Sequence, residues 1–300
     1  MNAENTKNLK KIVTHSGNFH TDEVFACATL ALLNDGQVEI VRSRDPEVWA
    51  TGDYVVDVGG IYDPKIGRFD HHQMGGAGER ANGIPYSSVG LVWKEFGEKL
   101  TGSSYAARVI DERLVQPIDA GDNGIETFSI IGGVAPVLIH DAISAFRPAW
   151  NENRTEDEGF FDAFEMAKKM LAREIIRACA EEEGKRRAEE AYARSEDKTT
   201  IVLDDHYPWY EALGSKPEPL YVVKPDRANA GKWKVETVRS DVHAFKNRKD
   251  LPVSWAGKRD QELAEVTGVS DAIFCHNKRF IAVAGSKEGA LALARKAVEA

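Results

Sequence analysis

Residues 11–14 form a short β-branched run that leads into His15, after which Gly17 opens a turn. Residues 22–34 are rich in Ala and Leu and stop short of Gly36, which reads as a helix with a glycine terminator. Apolar runs return at residues 38–41 and 54–58 and predict two further strands. Strand, helix, strand at this pacing predicts a parallel α/β layer rather than an all-β domain.

Residues 59–69 make an excursion that resembles a hairpin, and residues 75–83 form a loop with four glycines. Without a following Lys-Ser/Thr, that loop is a weak phosphate-cradle signal. Helical periodicity resumes at residues 88–100 and 105–114. Residues 160–194 read as one long amphipathic helix with Ala, Met, Leu and Ile at spacings of three and four. Beyond it, strands are predicted at residues 200–203, 220–223, 233–238, 272–274 and 280–283, and helices at 260–267 and 286–299. The pattern therefore predicts two domains, residues 1–195 including the connector helix and residues 196–300, the second a smaller α/β domain.

Composition narrows the partners. The net charge is −9, from 39 Lys and Arg against 48 Asp and Glu. Broad phosphate neutralisation needs a basic surface, so long duplex DNA is an unsuitable ligand, whereas a short oligonucleotide or nucleotide suits local cations and bound metal. No run approaches the ~18 apolar residues of a membrane helix. The polar residues 1–11 lack a signal-peptide core, and Cys27, Cys179 and Cys275 offer no CxxC pair, which predicts a cytoplasmic protein. A homo-oligomer is compatible with all of this.

The chemistry gathers near the N-terminus, where four of the eight histidines fall between residues 15 and 72. His15, His20 and Asp22 sit where a strand gives way to a helix. Asp57 ends the apolar run Tyr54-Val55-Val56, and Asp70-His71-His72 follows the hairpin. In open α/β sheets ligands collect at the carboxyl ends of strands. Imidazoles and carboxylates without thiolates suit Mn²⁺, Mg²⁺, Fe²⁺ or Zn²⁺, and carboxylates added to several histidines suit a pair of ions. Singly, each residue is as easily a core histidine or a helix cap; together they point to a metal site.

These residues resemble the DHH phosphoesterase superfamily. More closely, His15-Ser-Gly-Asn-Phe-His20-Thr-Asp22-Glu23, Val56-Asp57-Val58-Gly59-Gly60, Tyr62-Asp63-Pro64, Phe69-Asp70-His71-His72-Gln73 and Asp119-Ala120-Gly121-Asp122-Asn123-Gly124 resemble the melanocyte-proliferating-gene nuclease family. The likeness continues to Arg248-Lys249-x-Leu251-Pro252-x-x-Trp255-x-Gly257 and Glu288-Gly289-Ala290, near the C-terminus. It implies a parallel-sheet DHH-type N-terminal domain, a connector helix and a C-terminal domain that closes over the metals.

The resemblance implies two divalent cations, Mn²⁺ or Mg²⁺: one held by His15, His20 and Asp57, the other by Asp22, Asp57, His71 and Asp122. Asp57 would bridge, His72 would face the substrate, and Asp70 would orient the histidines. His20 stands where the wider superfamily has an aspartate, and Asp119 competes with Asp122 as the last ligand. Arg248, Lys249 and His276 would meet the substrate from the second domain. The implied activity is phosphodiester hydrolysis, as a 3′–5′ exonuclease on RNA or short oligonucleotides. The alternatives are a nucleotide or pyrophosphate phosphatase and a non-catalytic metal-binding regulator.

Overall fold

The computed structural model describes residues 9–240 and 246–300, so residues 1–8 of the polar leader lie outside the described residues. The chain packs as two units, Met1–Cys179 and Ala180–Ala300, each an α/β layer around its own mixed sheet.

In the first unit β1 (Lys10–Thr14) lies between β2 (Val38–Arg42) and β3 (Tyr54–Val56), parallel to both. β5 (Arg68–Phe69) extends the parallel set beside β3, and β4 (Tyr62–Asp63) closes the edge antiparallel to β5. The excursion after Asp57 is thus a small hairpin, and its returning strand aligns with the parallel layer. Its turn depends on Gly67: φ there is 68°, and a Cβ would sit 2.1 Å from the Asp53 carbonyl oxygen.

Strand alternation divides the apolar side chains between two faces. Ile12, Val56 and Phe69 enter the main core with Phe25, Leu30, Leu91 and Phe160, while Val13, Val55 and Val58 pack toward Trp49 on the other side. Helix α1 (Thr21–Leu33) is buried along most of its length, which its Ala-rich sequence permits, and packs against α3 (Ser88–Thr101).

Two helices differ from the periodicity reading. The helix expected over residues 105–114 runs on: α4 (Ser104–Ile110) passes through a π-turn, Asp111–Val115, into α5 (Gln116–Asp122). Pro117 lies just inside α5, where the missing N–H and the ring disfavour regular α continuation, and the wider turn precedes it. The long helix α7 (Glu156–Arg194) starts ahead of residue 160. Thr155 and Glu158 cap it reciprocally: Thr155 N and Oγ1 donate to the Glu158 carboxylate at 2.7 and 2.9 Å, and Glu158 N donates to Thr155 Oγ1. A short α6 (Ile139–Ser144) lies in a stretch that the hydrophobic pattern left blank.

The second unit carries the sheet order β6 (Thr200–Val202), β7 (Tyr221–Pro225), β8 (Trp233–Thr237), β10 (Ile281–Ala284), β9 (Ala272–Cys275). Only β6–β7 is parallel. Leu263 of α9 (Asp260–Thr267) and Ala290, Leu293, Ala294 and Ala297 of α10 (Lys287–Glu299) form one core with Tyr221, Val223 and Val235. Ile201, Leu203, Trp209, Leu213 and Val222 form another with Ala188 and Ala191. Among the described residues no helix is long and apolar enough to cross a membrane.

Candidate metal centre

Three neighbouring parallel strands end at one edge of the first sheet, and each is followed by polar residues. His15 follows β1, Asp57 follows β3, and Asp70, His71 and His72 follow β5. Asp57 adopts φ 56°, a left-handed conformation that costs a non-glycine residue energy and turns the chain off the strand just as the carboxylate is presented. Helix α1 adds Asp22 and Glu23 from its first turn, and α5 adds Asp122 from its last.

The distances describe one continuous cluster. His15 Nε2 lies 3.2 Å from Glu23 Oε1 and 3.3 Å from Asp57 Oδ2. His71 Nε2 lies 3.4 Å from Asp57 Oδ1, 3.3 Å from Asp122 Oδ2 and 4.0 Å from Asp22 Oδ2. His72 Nδ1 is 3.4 Å from Asp57 Oδ1. Asp57 therefore meets His15 through one oxygen and the His71–His72 pair through the other. Among the described residues, three groups bring potential ligand atoms within 4.8 Å of one another: His15, His20, Glu23 and Asp57; Asp57, His71 and His72; and His20, Asp22 and Asp122.

Asp22, Glu23 and Asp57 are almost completely buried. So many buried carboxylates need positive partners, because unpaired buried charge is costly. Yet Asp22 Oδ1 and His71 Nε2 are buried without any hydrogen-bond partner. Orphaned donor atoms converging on shared carboxylates, with nitrogen and oxygen only, fit hard or borderline divalent cations.

The electrostatics of the cluster follow from that crowding. Burial disfavours the His15 imidazolium, but hydrogen bonds to Asp57 and Glu23 outweigh it and raise its pKa to about 9. His71 is raised in the same way, by Asp57 against its own burial. Asp22 is pushed well above the ordinary carboxylate range by burial, then by Asp57 and Asp122. For Asp57 burial acts upward, but the adjoining His15 and His71 imidazoles hold it below its ordinary value. A bound divalent cation would compete with protons for these same lone pairs.

The N-terminus of α3 organises the carboxylates. Ser88 Oγ donates to Asp57 Oδ1 at 2.9 Å, and Ser88 N donates to Asp22 Oδ2 at 3.3 Å. Asp119 accepts from Ser87 N, Ser87 Oγ, Gly90 N and Arg80 Nη1, at 3.0, 2.6, 3.1 and 2.6 Å. A Cβ at Gly90 would fall 2.1 Å from the Asp119 carboxylate, so the helix start is shaped around it. Burial raises Asp119 to about 6 despite these donors. Asp119 is consumed inside the protein, while Asp122 faces His71. Asp70 accepts from Gly60 N, His72 N and His72 Nδ1, and so orients His72, whose side chain is largely exposed.

Glu23 is the buried carboxylate that sequence reasoning passed over. It reads as an ordinary first-turn acid, and both of its oxygens do accept from His20 N, at 2.7 and 2.8 Å. The same carboxylate also reaches His15. His140 and Arg147 were missed as well: both line the cavity of about 470 Å³ that contains His20, Asp57, His71, His72 and Asp122.

In the second unit the expected substrate contacts part ways. Arg248 donates to the carbonyls of Gly214, Lys216 and Pro219, and Lys249 donates to the Val298 carbonyl at 2.7 Å. Through these bonds both side chains tie separate chain segments together. His276 instead lines a separate cavity of about 530 Å³ with Trp209, Tyr210, Lys278 and Phe280, its ring 4.4 Å from that of Phe280.

Fold and site together define a two-unit α/β protein with a histidine–carboxylate candidate metal centre at the strand ends of its first sheet. The family model MYG1_exonuc, described as uncharacterised protein family UPF0160, matches residues 11–298. The chain is 34% identical to a MYG1 protein of Schizosaccharomyces pombe, over 97% of this chain and 98% of that protein. It is 34% identical to the MYG1 exonuclease of Mus musculus and 33% identical to that of Homo sapiens, each over 95% of this chain and 84% or 85% of theirs. The chain belongs to the MYG1 exonuclease family.

Proposed function

We propose that the chain is a divalent-metal-dependent phosphodiesterase of the DHH type, removing nucleotides in the 3′–5′ direction from RNA or short oligonucleotides in the cytoplasm. The observation that carries this reading is the sharing of Asp57 between two groups of ligand-competent side chains, one at His15 and one at His71. A carboxylate that serves two groups suits two cations bound close together. On this reading His15, His20 and Asp57 hold one ion, and Asp22, Asp57, His71 and Asp122 hold the other, with Mn²⁺ favoured over Mg²⁺ by the histidines.

When bound, the cations supply Lewis acidity and water of lowered pKa. The chain's own residues do the rest. Glu23 fixes the His15 ring, and Ser88 fixes the Asp57 and Asp22 carboxylates. Asp70 holds His72 with its other ring nitrogen facing outward, placed to give or take a proton at a phosphate oxygen. His276 is the second unit's contact for substrate. The relatives named exonucleases support a nucleic-acid substrate.

Turnover of a labelled short RNA, the matching DNA and a mononucleotide with Mn²⁺, by wild type and Asp57→Ala, tests the reading. Stepwise loss of 3′ nucleotides from RNA that Asp57→Ala abolishes supports it. Turnover of the mononucleotide alone makes the chain a phosphatase, and full metal binding with no turnover makes it a regulator.

A further inference from the structure

The cavity beside the metal ligands has a second set of polar side chains, His140, Ser144 and Arg147, contributed by α6 and the turn after it. Neither His140 nor Arg147 serves the carboxylate cluster. Arg147 donates from both Nε and Nη2 to the carbonyl of Phe19, and its guanidinium lies 5.7 Å from the Phe19 ring. Two donors on one acceptor fix the plane of the group. Its remaining nitrogen, Nη1, has no hydrogen-bond partner among the described residues.

His140 is held differently. Its ring lies against Gly121, where a Cβ would come within 2.2 Å of Nε2, so the missing side chain at 121 makes room for the imidazole in the cavity that Asp122 also lines. Nε2 is buried and has no hydrogen-bond partner. A buried polar atom left unpaired is costly, and a small turn of the ring off Gly121, with the proton on Nε2, would bring it to an acceptor in the cavity. A fixed guanidinium and an unpaired imidazole nitrogen in one cavity, beside carboxylates that attract cations, suit a tetrahedral oxyanion.

We infer that Arg147 and His140 form the phosphate-binding wall of this site, contacting non-bridging oxygens of the substrate's phosphoester group. The inference rests on the phosphoester-hydrolase reading. It also gives the site a positive charge from the first unit's own residues. Ser144 lines the same wall and provides a further hydroxyl donor.

The test uses the full chain loaded with Mn²⁺ and follows three variants: Arg147→Gln, Arg147→Lys and His140→Phe, the last keeping a ring against Gly121 without its nitrogen. Calorimetry reads the affinity for inorganic phosphate, equilibrium dialysis reads bound Mn²⁺, and steady-state assays read KM and kcat on the short RNA. The expected result is about tenfold weaker phosphate binding in Arg147→Gln, a smaller loss in His140→Phe, partial recovery in Arg147→Lys and unchanged Mn²⁺ in all three. Phosphate affinity that stays at the wild-type level, or falls only as Mn²⁺ is lost, overturns the inference. So does a wild type that binds no phosphate. RNA hydrolysis with wild-type KM in every variant sinks this wall and leaves the hydrolase reading standing. Phosphate binding through Arg147 without turnover of any phosphoester does the reverse.

Discussion

The two units use their polar residues in opposite ways. Around Asp57 the first unit buries carboxylates and imidazoles whose lone pairs converge and in part find no partner. Around Arg248 the second unit holds equally eye-catching charges, yet Arg248 Nη1 and Nη2 and Lys249 Nζ all donate to backbone carbonyls. Both regions lie in motifs that the sequence resemblance singles out. A charged side chain whose hydrogen bonds are all met by the chain is holding the fold together. One that is buried and unmet marks a place where something else binds.

That contrast breaks most visibly at Asp57. Replacing it with Ala removes the carboxylate common to both groups, and hydrolysis of any phosphoester substrate should fall by about a thousandfold or more, read as kcat/KM. Arg248→Ala should do the converse. It should leave Mn²⁺ binding intact but lower stability by about 2 kcal/mol, because three carbonyls lose a charged donor; urea denaturation checks this. If Arg248→Ala instead leaves stability unchanged while raising KM, the division between the units is wrong.

Ser88→Ala sharpens the comparison inside the first unit. It deletes a hydroxyl that touches Asp57 without removing any ligand, and Mn²⁺ affinity should drop about tenfold by calorimetry, with Ser88→Thr recovering most of it. The smallest effect concerns pH. The His15 pKa is raised from 6.5 to about 9, so in metal-free protein its contribution to stability is complete below about 6.5 and is lost as pH rises through about 9. Asp22, also raised, contributes in the same direction from its own lower starting value. The urea midpoint of EDTA-treated protein should therefore decline across that window. Mn²⁺, taking the protons' place, should flatten the decline and release protons on binding near neutral pH.

Much of the site was legible because it is built from strand ends. A β-branched run followed at once by His15 or Asp57 can be read without knowing how the sheet closes, and parallel pairing brings those ends, and Asp70 after the short Arg68–Phe69 strand, to one edge. The choice between Asp119 and Asp122 could not be read that way. It depends on helical phase beyond a π-turn, and on Ser87, Gly90 and Arg80 claiming Asp119 from elsewhere in the chain. Glu23 was hidden by having a sufficient local explanation as a helix cap. His140 and Arg147 follow a stretch where Ile130, Ile131, Val134 and Val137 are exposed, so hydrophobic periodicity carries no information about the six-residue helix that holds His140 and precedes Arg147. Arg248 and Lys249 were conspicuous for their charge, and only the carbonyls facing them reveal what that charge does.

Sharing of Asp57 between two cations fixes how many ions the strand-end cluster holds. Equilibrium dialysis of the metal-stripped full chain against Mn²⁺, with bound metal counted by elemental analysis, measures this directly. Two ions per chain in the wild type, with both sites lost or severely weakened in Asp57→Ala, is the predicted result. A wild type that binds fewer than two, or an Asp57→Ala chain that binds Mn²⁺ as the wild type does, would contradict it.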